Sequence, residues 1–181
     1  MALTATIHTF EIALSDVDRG CYEALSLRVA RHPSESEEYL VTRVLAYCLE
    51  YTEGIAFSKG LSEADEPALS VRDMTGALLA WIEIGVPDAP RLHKATKLAP
   101  RVAVYTHKDP SLLVRQLTGQ RIHRGEELNL YAVDRDLVAA LVQRLERRMI
   151  LDLTVFDRQL YVALGGETLT GGIAPFSLPM D

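Results

Sequence analysis

Between Ser34 and Arg147 the chain alternates two periodicities, and that alternation leaves few architectures open. Leu40, Val41, Val44, Leu45 and Cys48 recur at helical spacing. Ser34 precedes them and Glu37 follows it by three residues, the pattern of a capping box, so a helix is predicted over 35–51. Two apolar runs, Ala68 to Arg72 and Leu78 to Ile84, then flank Asp73-Met74-Thr75-Gly76 and read as a β-hairpin. Asp88 is placed to N-cap a further helix with Pro90 in its first turn; it carries Arg91, Lys94 and Lys97 and stops at Pro100. Val102 to Thr106 reads as a strand, Asp109-Pro110 opens a helix through Leu117, Glu126 to Val133 reads as a strand and Asp134 to Arg147 as a helix.

Both ends of the chain are rich in hairpin patterns instead. Ala2 to Leu14 and Ala24 to Ala30 alternate in polarity on either side of a polar link, and Met149 to Val155 with Leu160 to Leu164 form a second pair. Residues 54–66 read as irregular apart from a short strand at Ile55 to Ser58. The Gly- and Pro-containing tail from Gly165 to Asp181 reads as irregular. Strand–helix alternation in the middle and hairpins at the ends predict an α/β fold, a compact mixed β-sheet flanked by helices. At 181 residues the length favours a single domain over 1–181.

Composition narrows the function classes. The formal net charge is -6, so a nucleic-acid site on this chain must be a local patch. Two cysteines, Cys21 and Cys48, make neither a disulfide framework nor a zinc cluster, and Cys48 lies on the apolar stripe of a predicted helix. The first residues lack the charge and apolar run of a signal peptide, and no apolar stretch is long enough for a transmembrane helix. The expectation is a reduced cytoplasmic protein without membrane contact. Ser34, Ser58 and Ser70 have no nucleophile-elbow context, and no Gly-rich phosphate loop occurs.

Glu83 is the residue that asks for an explanation. It stands in the apolar run Leu78 to Ile84, where a carboxylate is costly unless it is paired or bound to a cation. One reading is structural, an outward-facing edge position or an ion pair to Arg72 across the hairpin. The other draws on three neighbours: Asp65-Glu66 before the hairpin, Glu37 and Glu38 in the first turn of the capped helix, and Lys94 and Lys97 on one face of the next helix. Carboxylates of this kind hold Mg²⁺ or Mn²⁺ through oxygen, the metal polarises a phosphodiester and activates water, and a lysine offsets charge on the phosphate. In that reading Glu83 with Asp65 or Glu66 binds the metal, Glu38 orients a ligand or water, and Lys94 assists. Arg31, His32 and Lys97 are then candidate nucleic-acid contacts. Each also has a structural reading: His32 a helix-entry contact, Arg31 a carboxylate partner, Lys97 a solvated side chain.

The order helix with Glu, acidic pair, hairpin, Glu and then Lys resembles the PD-(D/E)XK nuclease superfamily. That pattern is Pro-Asp followed by Glu-X-Lys; here the order is Glu66-Pro67, and Gly85 stands at the lysine position, so the lysine is sought at Lys94 or Lys97. A more specific resemblance covers nearly the whole chain. Arg31-His32-Pro33-Ser34-Glu35, Arg43, Asp65-Glu66-Pro67, Trp81-Ile82-Glu83-Ile84-Gly85, Pro87-Asp88 and Lys94-Ala95, with the length and the opening Met1-Ala2-Leu3, resemble the YaeQ family of small bacterial proteins. The resemblance implies a compact variation of the restriction-endonuclease-like fold. It carries no defined activity, so the functional expectations are a metal-dependent nuclease or a non-catalytic binding or regulatory protein on the same scaffold.

Overall fold

The computed structural model describes residues 4–58 and 65–179. In chain order the first half holds β1 (Thr6–Asp16), β2 (Cys21–Arg31), α1 (Glu37–Leu49), β3 (Ile55–Phe57), β4 (Leu69–Arg72), β5 (Leu78–Ile84) and α2 (Ala89–Leu98). The second half holds β6 (Arg101–Thr106), α3 (Pro110–Leu117), β7 (Asn129–Val133), α4 (Arg135–Gln143), β8 (Arg148–Phe156), β9 (Gln159–Leu164) and β10 (Glu167–Phe176). The expected start of β1 at Ala2, the part of the irregular stretch from 59 to 64, and the last two residues of the tail lie outside the described residues.

The fold is mixed α/β and divides into two compact units, each assembled from two stretches of chain. The first unit comprises Met1–Val41 and Val133–Ala174. Its strands run in the order β2-β1-β8-β9-β10. β1 and β8 are parallel; β2 with β1, β8 with β9 and β9 with β10 are antiparallel. Phe10, Ile12 and Leu14 of β1 alternate inward with Leu151, Leu153 and Val155 of β8, as a half-buried sheet requires. The tail departs from expectation: residues 167–176 form β10 rather than an irregular segment. Gly165 and Gly166, at φ of 57° and 82°, make the tight turn into it. Gly171 lies where an added Cβ would come within 2.8 Å of side-chain atoms of both Leu137 in α4 and Asp134, its N-cap. These glycines permit a turn and a close helix approach, so their presence does not mark a broken strand.

Two helix boundaries also move. α1 begins at Glu37, and Ser36, not Ser34, caps it by accepting from the Tyr39 N–H at 3.1 Å. Ser34 is engaged locally with His32 instead, with Oγ 2.7 Å from Nδ1. The core stripe is as expected, with Leu40, Val41, Val44, Leu45 and Cys48 all buried. α4 starts at the Asp134 cap but ends at Gln143, where Arg144 turns back to donate to the Ala140 carbonyl and pairs with Glu167 at 2.7 Å.

The second unit comprises Thr42–Ala132 and Pro175–Asp181, with strands in the order β7-β6-β5-β4-β3. β5, β6 and β7 are parallel, joined by α2 and α3 as βαβ crossovers; β3, β4 and β5 form antiparallel pairs. Asp88 and Asp109 cap α2 and α3 as expected, each accepting a backbone N–H at 2.9 Å. β7 begins at Asn129 rather than Glu126, because Arg124 adopts φ 50° and turns the chain into a 3-10 turn over Gly125–Glu127. Trp81, Val102, Val104 and Leu130 pack with Leu92, Ala95, Leu113 and Leu117 into one buried cluster.

Candidate functional site

Five successive residues of β5, Ala80 to Ile84, are buried, as a strand covered on both faces must be. Alternation puts Trp81 and Glu83 on one face, and Trp81 belongs to the cluster that α2 and α3 cover. Glu83 is therefore buried, at 4% exposure. Its partners explain how a carboxylate survives there. The Trp81 Nε1–H donates to Glu83 Oε1 at 2.6 Å, and Arg91 Nε lies 2.8 Å from the same oxygen. The Arg91 guanidinium also sits 5.8 Å from the Trp81 ring centroid, a cation–π distance, and donates to the Glu66 backbone carbonyl at 2.5 Å. Burial pushes the Glu83 carboxyl above its ordinary value; the bonds and charge of Arg91 and the bond from Trp81 oppose that shift, and nearby Asp88 adds to it.

One helical turn further, Lys94 Nζ donates to Asp65 Oδ1 at 2.6 Å. This pair is exposed, with Asp65 88% accessible, and Lys94 holds the Asp65 carboxyl below its ordinary value. Lys94 thus faces the acidic pair, and Arg91 takes the place at Glu83. The structural alternative for Glu83 is likewise corrected: Arg72 donates to the Gly76 carbonyl inside the hairpin turn, while Arg91 makes the ion pair. Glu66 enters through its carbonyl; its side chain is exposed. Sequence reading passed over Arg91 as a site residue. The signal was present, since Trp81 and Glu83 share a strand face and a guanidinium is the group that both stacks on an indole and pairs with a carboxylate.

Glu38, Arg31 and His32 belong to the first unit. Glu38 lies in the first turn of α1. Arg31 Nε donates to the Glu35 carbonyl at 3.1 Å, and His32 Nδ1 accepts the Ser34 N–H at 3.2 Å, so both shape the turn before α1. Lys97 is exposed on α2.

Among the described residues no group of three or more His, Cys, Asp or Glu is gathered as ligands. Oε1 of Glu83 takes an indole N–H and a guanidinium, and Oδ1 of Asp65 takes an ammonium. A cavity of about 590 Å³ lies elsewhere in the second unit, lined by residues including Leu117, Arg121, Ile122, Leu130 and Leu178, and none of the Glu83 group borders it. Charge is also uneven. Residues 89–124 hold eight Lys or Arg against one acidic residue, Asp109, in a chain whose net charge is -6.

The mixed α/β fold that carries the Glu83–Arg91 pair is shared with solved structures of bacterial proteins. The YaeQ protein family model matches residues 1–171, and the chain belongs to that family. It is 31% identical over 180 residues to "Uncharacterized protein YaeQ" of Escherichia coli (strain K12), covering 99% of each chain. The corresponding protein of Salmonella typhi is 31% identical over 164 residues, 90% of this chain and 91% of that one. The crystal structure of YaeQ from Pseudomonas syringae superposes with a TM-score of 0.86 at 30% identity, covering 96% of each chain. YaeQ of Xanthomonas axonopodis pv. citri gives 0.87 at 31%, covering 97% of this chain and all of that one. No helix among the described residues is long and apolar enough to cross a membrane.

Proposed function

We propose that the chain is a non-catalytic nucleic-acid-binding protein on a scaffold of the PD-(D/E)XK kind, in which basic side chains have taken over the carboxylates of the metal centre. The observation that carries this reading is the 2.8 Å Arg91–Glu83 pair, accompanied by the 2.6 Å Lys94–Asp65 pair. A cation binding there would have to displace two paired positive groups, one of them from a buried carboxylate. The basic stretch 89–124 supplies the local patch that an acidic chain needs to meet a phosphate backbone. Lys97 and Lys108 are exposed and, among the described residues, make no ion pair, so they are the proposed backbone contacts.

Titration of a fluorescent oligonucleotide with the protein, with and without Mn²⁺, tests this. Binding should weaken with salt, and Lys97→Gln with Lys108→Gln should lower the slope of log K against log salt by about 1 to 2. The oligonucleotide should be recovered intact with Mn²⁺. Absence of binding at low salt sinks the reading. Mn²⁺-dependent cleavage lost in Glu83→Gln instead restores the hydrolytic alternative, with Asp65, Glu66 and Glu83 as metal ligands, Glu38 orienting and Lys94 assisting.

A further inference from the structure

The outer face of α2 carries a second group of side chains, distinct from Glu83. His93 and Lys97 are four residues apart and so lie on the same side of the helix. The loop after α3 returns to this face. The His123 backbone N–H donates to His93 Nδ1 at 3.0 Å, and the two imidazoles stand edge to face, centroids 6.4 Å apart at 85°. Arg124 fastens the loop. Its guanidinium donates to the Thr96 carbonyl and, at 3.1 Å, to the Ala99 carbonyl at the end of α2, and Glu127 pairs with it at 3.3 Å. Arg124 holds φ at 50°, a left-handed conformation that costs a non-glycine residue and persists where the surroundings enforce it.

This arrangement has consequences for charge. Because Nδ1 of His93 accepts a backbone N–H, the neutral ring carries its proton on Nε2 and presents a donor. Lost hydration holds the imidazole below its ordinary pKa, and Lys97, His123 and Arg121 push in the same direction. Arg124, the remaining cation of the loop, is taken up by helix carbonyls and Glu127. Among the described residues neither Lys97 nor Arg121 has an acidic partner. Cations gathered around an imidazole with no counter-charge repel one another, and an anion arriving among them removes that repulsion.

We propose that His93, Lys97, Arg121 and His123 form a binding site for a dianionic phosphate group, a phosphomonoester. Two formal positive charges match the two negative charges, and an ammonium, a guanidinium and ring N–H groups supply enough donors for three phosphate oxygens. A carboxylate would leave part of that set unused. The proposal rests on the nucleic-acid reading above for one point, that the phosphate is the 5′ end of a strand.

Histidine ring resonances of ¹⁵N-labelled full-length protein, followed by NMR at constant ionic strength, test the site. The ligands are inorganic phosphate, a short 5′-phosphorylated oligonucleotide and the same oligonucleotide with a 5′-hydroxyl. Inorganic phosphate and the phosphorylated strand should shift the His93 and His123 signals, and the hydroxyl strand, which meets Lys97 through phosphodiesters alone, should shift them markedly less. Lys97→Gln with Arg121→Gln replaces two exposed side chains and should weaken phosphate binding at least about tenfold, with the backbone amide spectrum unchanged. Unmoved histidine signals at millimolar phosphate overturn the site, as does a double variant that binds like the wild type. Equal shifts with the hydroxyl strand overturn the monoester assignment. Binding of inorganic phosphate alone upholds the site and removes the nucleic-acid origin of its ligand.

Discussion

At Glu83 two effects of unequal size compete. The bonds from Arg91 and Trp81 favour the carboxylate, but the loss of water around a side chain 4% exposed outweighs them, and the carboxyl holds its proton to a higher pH than in the unfolded chain. The sign for stability follows. Above the ordinary carboxyl range the folded state binds more protons than the unfolded state, so the Glu83 contribution is fully present below that range and is lost as pH rises through the raised value. Glu83→Gln keeps an acceptor for the Trp81 N–H but has no proton to exchange. Denaturant unfolding from pH 7 down to pH 5 should therefore stabilise the wild type progressively relative to Glu83→Gln. A difference that is flat in pH, or that shrinks on acidification, contradicts the balance described. Glu83 itself was conspicuous in the sequence as a charge in an apolar run. Its partner was not, because spacing along α2 does not say which of Arg91 and Lys94 the turn at Gly85 to Asp88 brings back over the strand end.

Among the elements, the β8–β9 hairpin is closed by Asp157 and Arg158, both in the left-handed region at φ 49° and 58°. Asp18 offsets this by accepting both of their backbone N–H groups, at 2.7 and 2.9 Å. Glycine adopts that conformation freely, so Arg158→Gly should raise stability by about 1 kcal/mol, measured by chemical denaturation; a loss of stability would mean the Arg158 side chain holds the turn. The two αβ caps, the core stripe of α1 and the hairpins were legible because Asp-x-Pro or Asp-Pro starts and period-two runs depend on nearest neighbours alone. β10 was not. Gly171 and Gly172 look like breakers until α4 is known to pack against that strand, which is a tertiary fact. The Ser34 cap failed for a similar reason, since His32 competes for that hydroxyl and the chain supplies Ser36 two residues later.

For the molecule as a whole, family membership and fold are shared with YaeQ proteins across nearly the full chain, whereas the chemistry rests on a handful of pairs. Glu83 and Asp65 are held by cationic side chains of the same chain, and the positive charge of residues 89–124 stands out against a net charge of -6. A ligand that binds the folded state alone raises stability with its saturation, by about 2.7 kcal/mol at a hundredfold excess over Kd. Thermal unfolding of the wild type and Glu83→Gln across a Mn²⁺ titration into the millimolar range therefore tests most directly the proposal that Arg91, and not a cation, is the partner of Glu83. With Arg91 in place the curves respond to Mn²⁺ alike in both proteins; a Mn²⁺-dependent rise in the wild type that Glu83→Gln abolishes would show instead that Glu83 binds the metal.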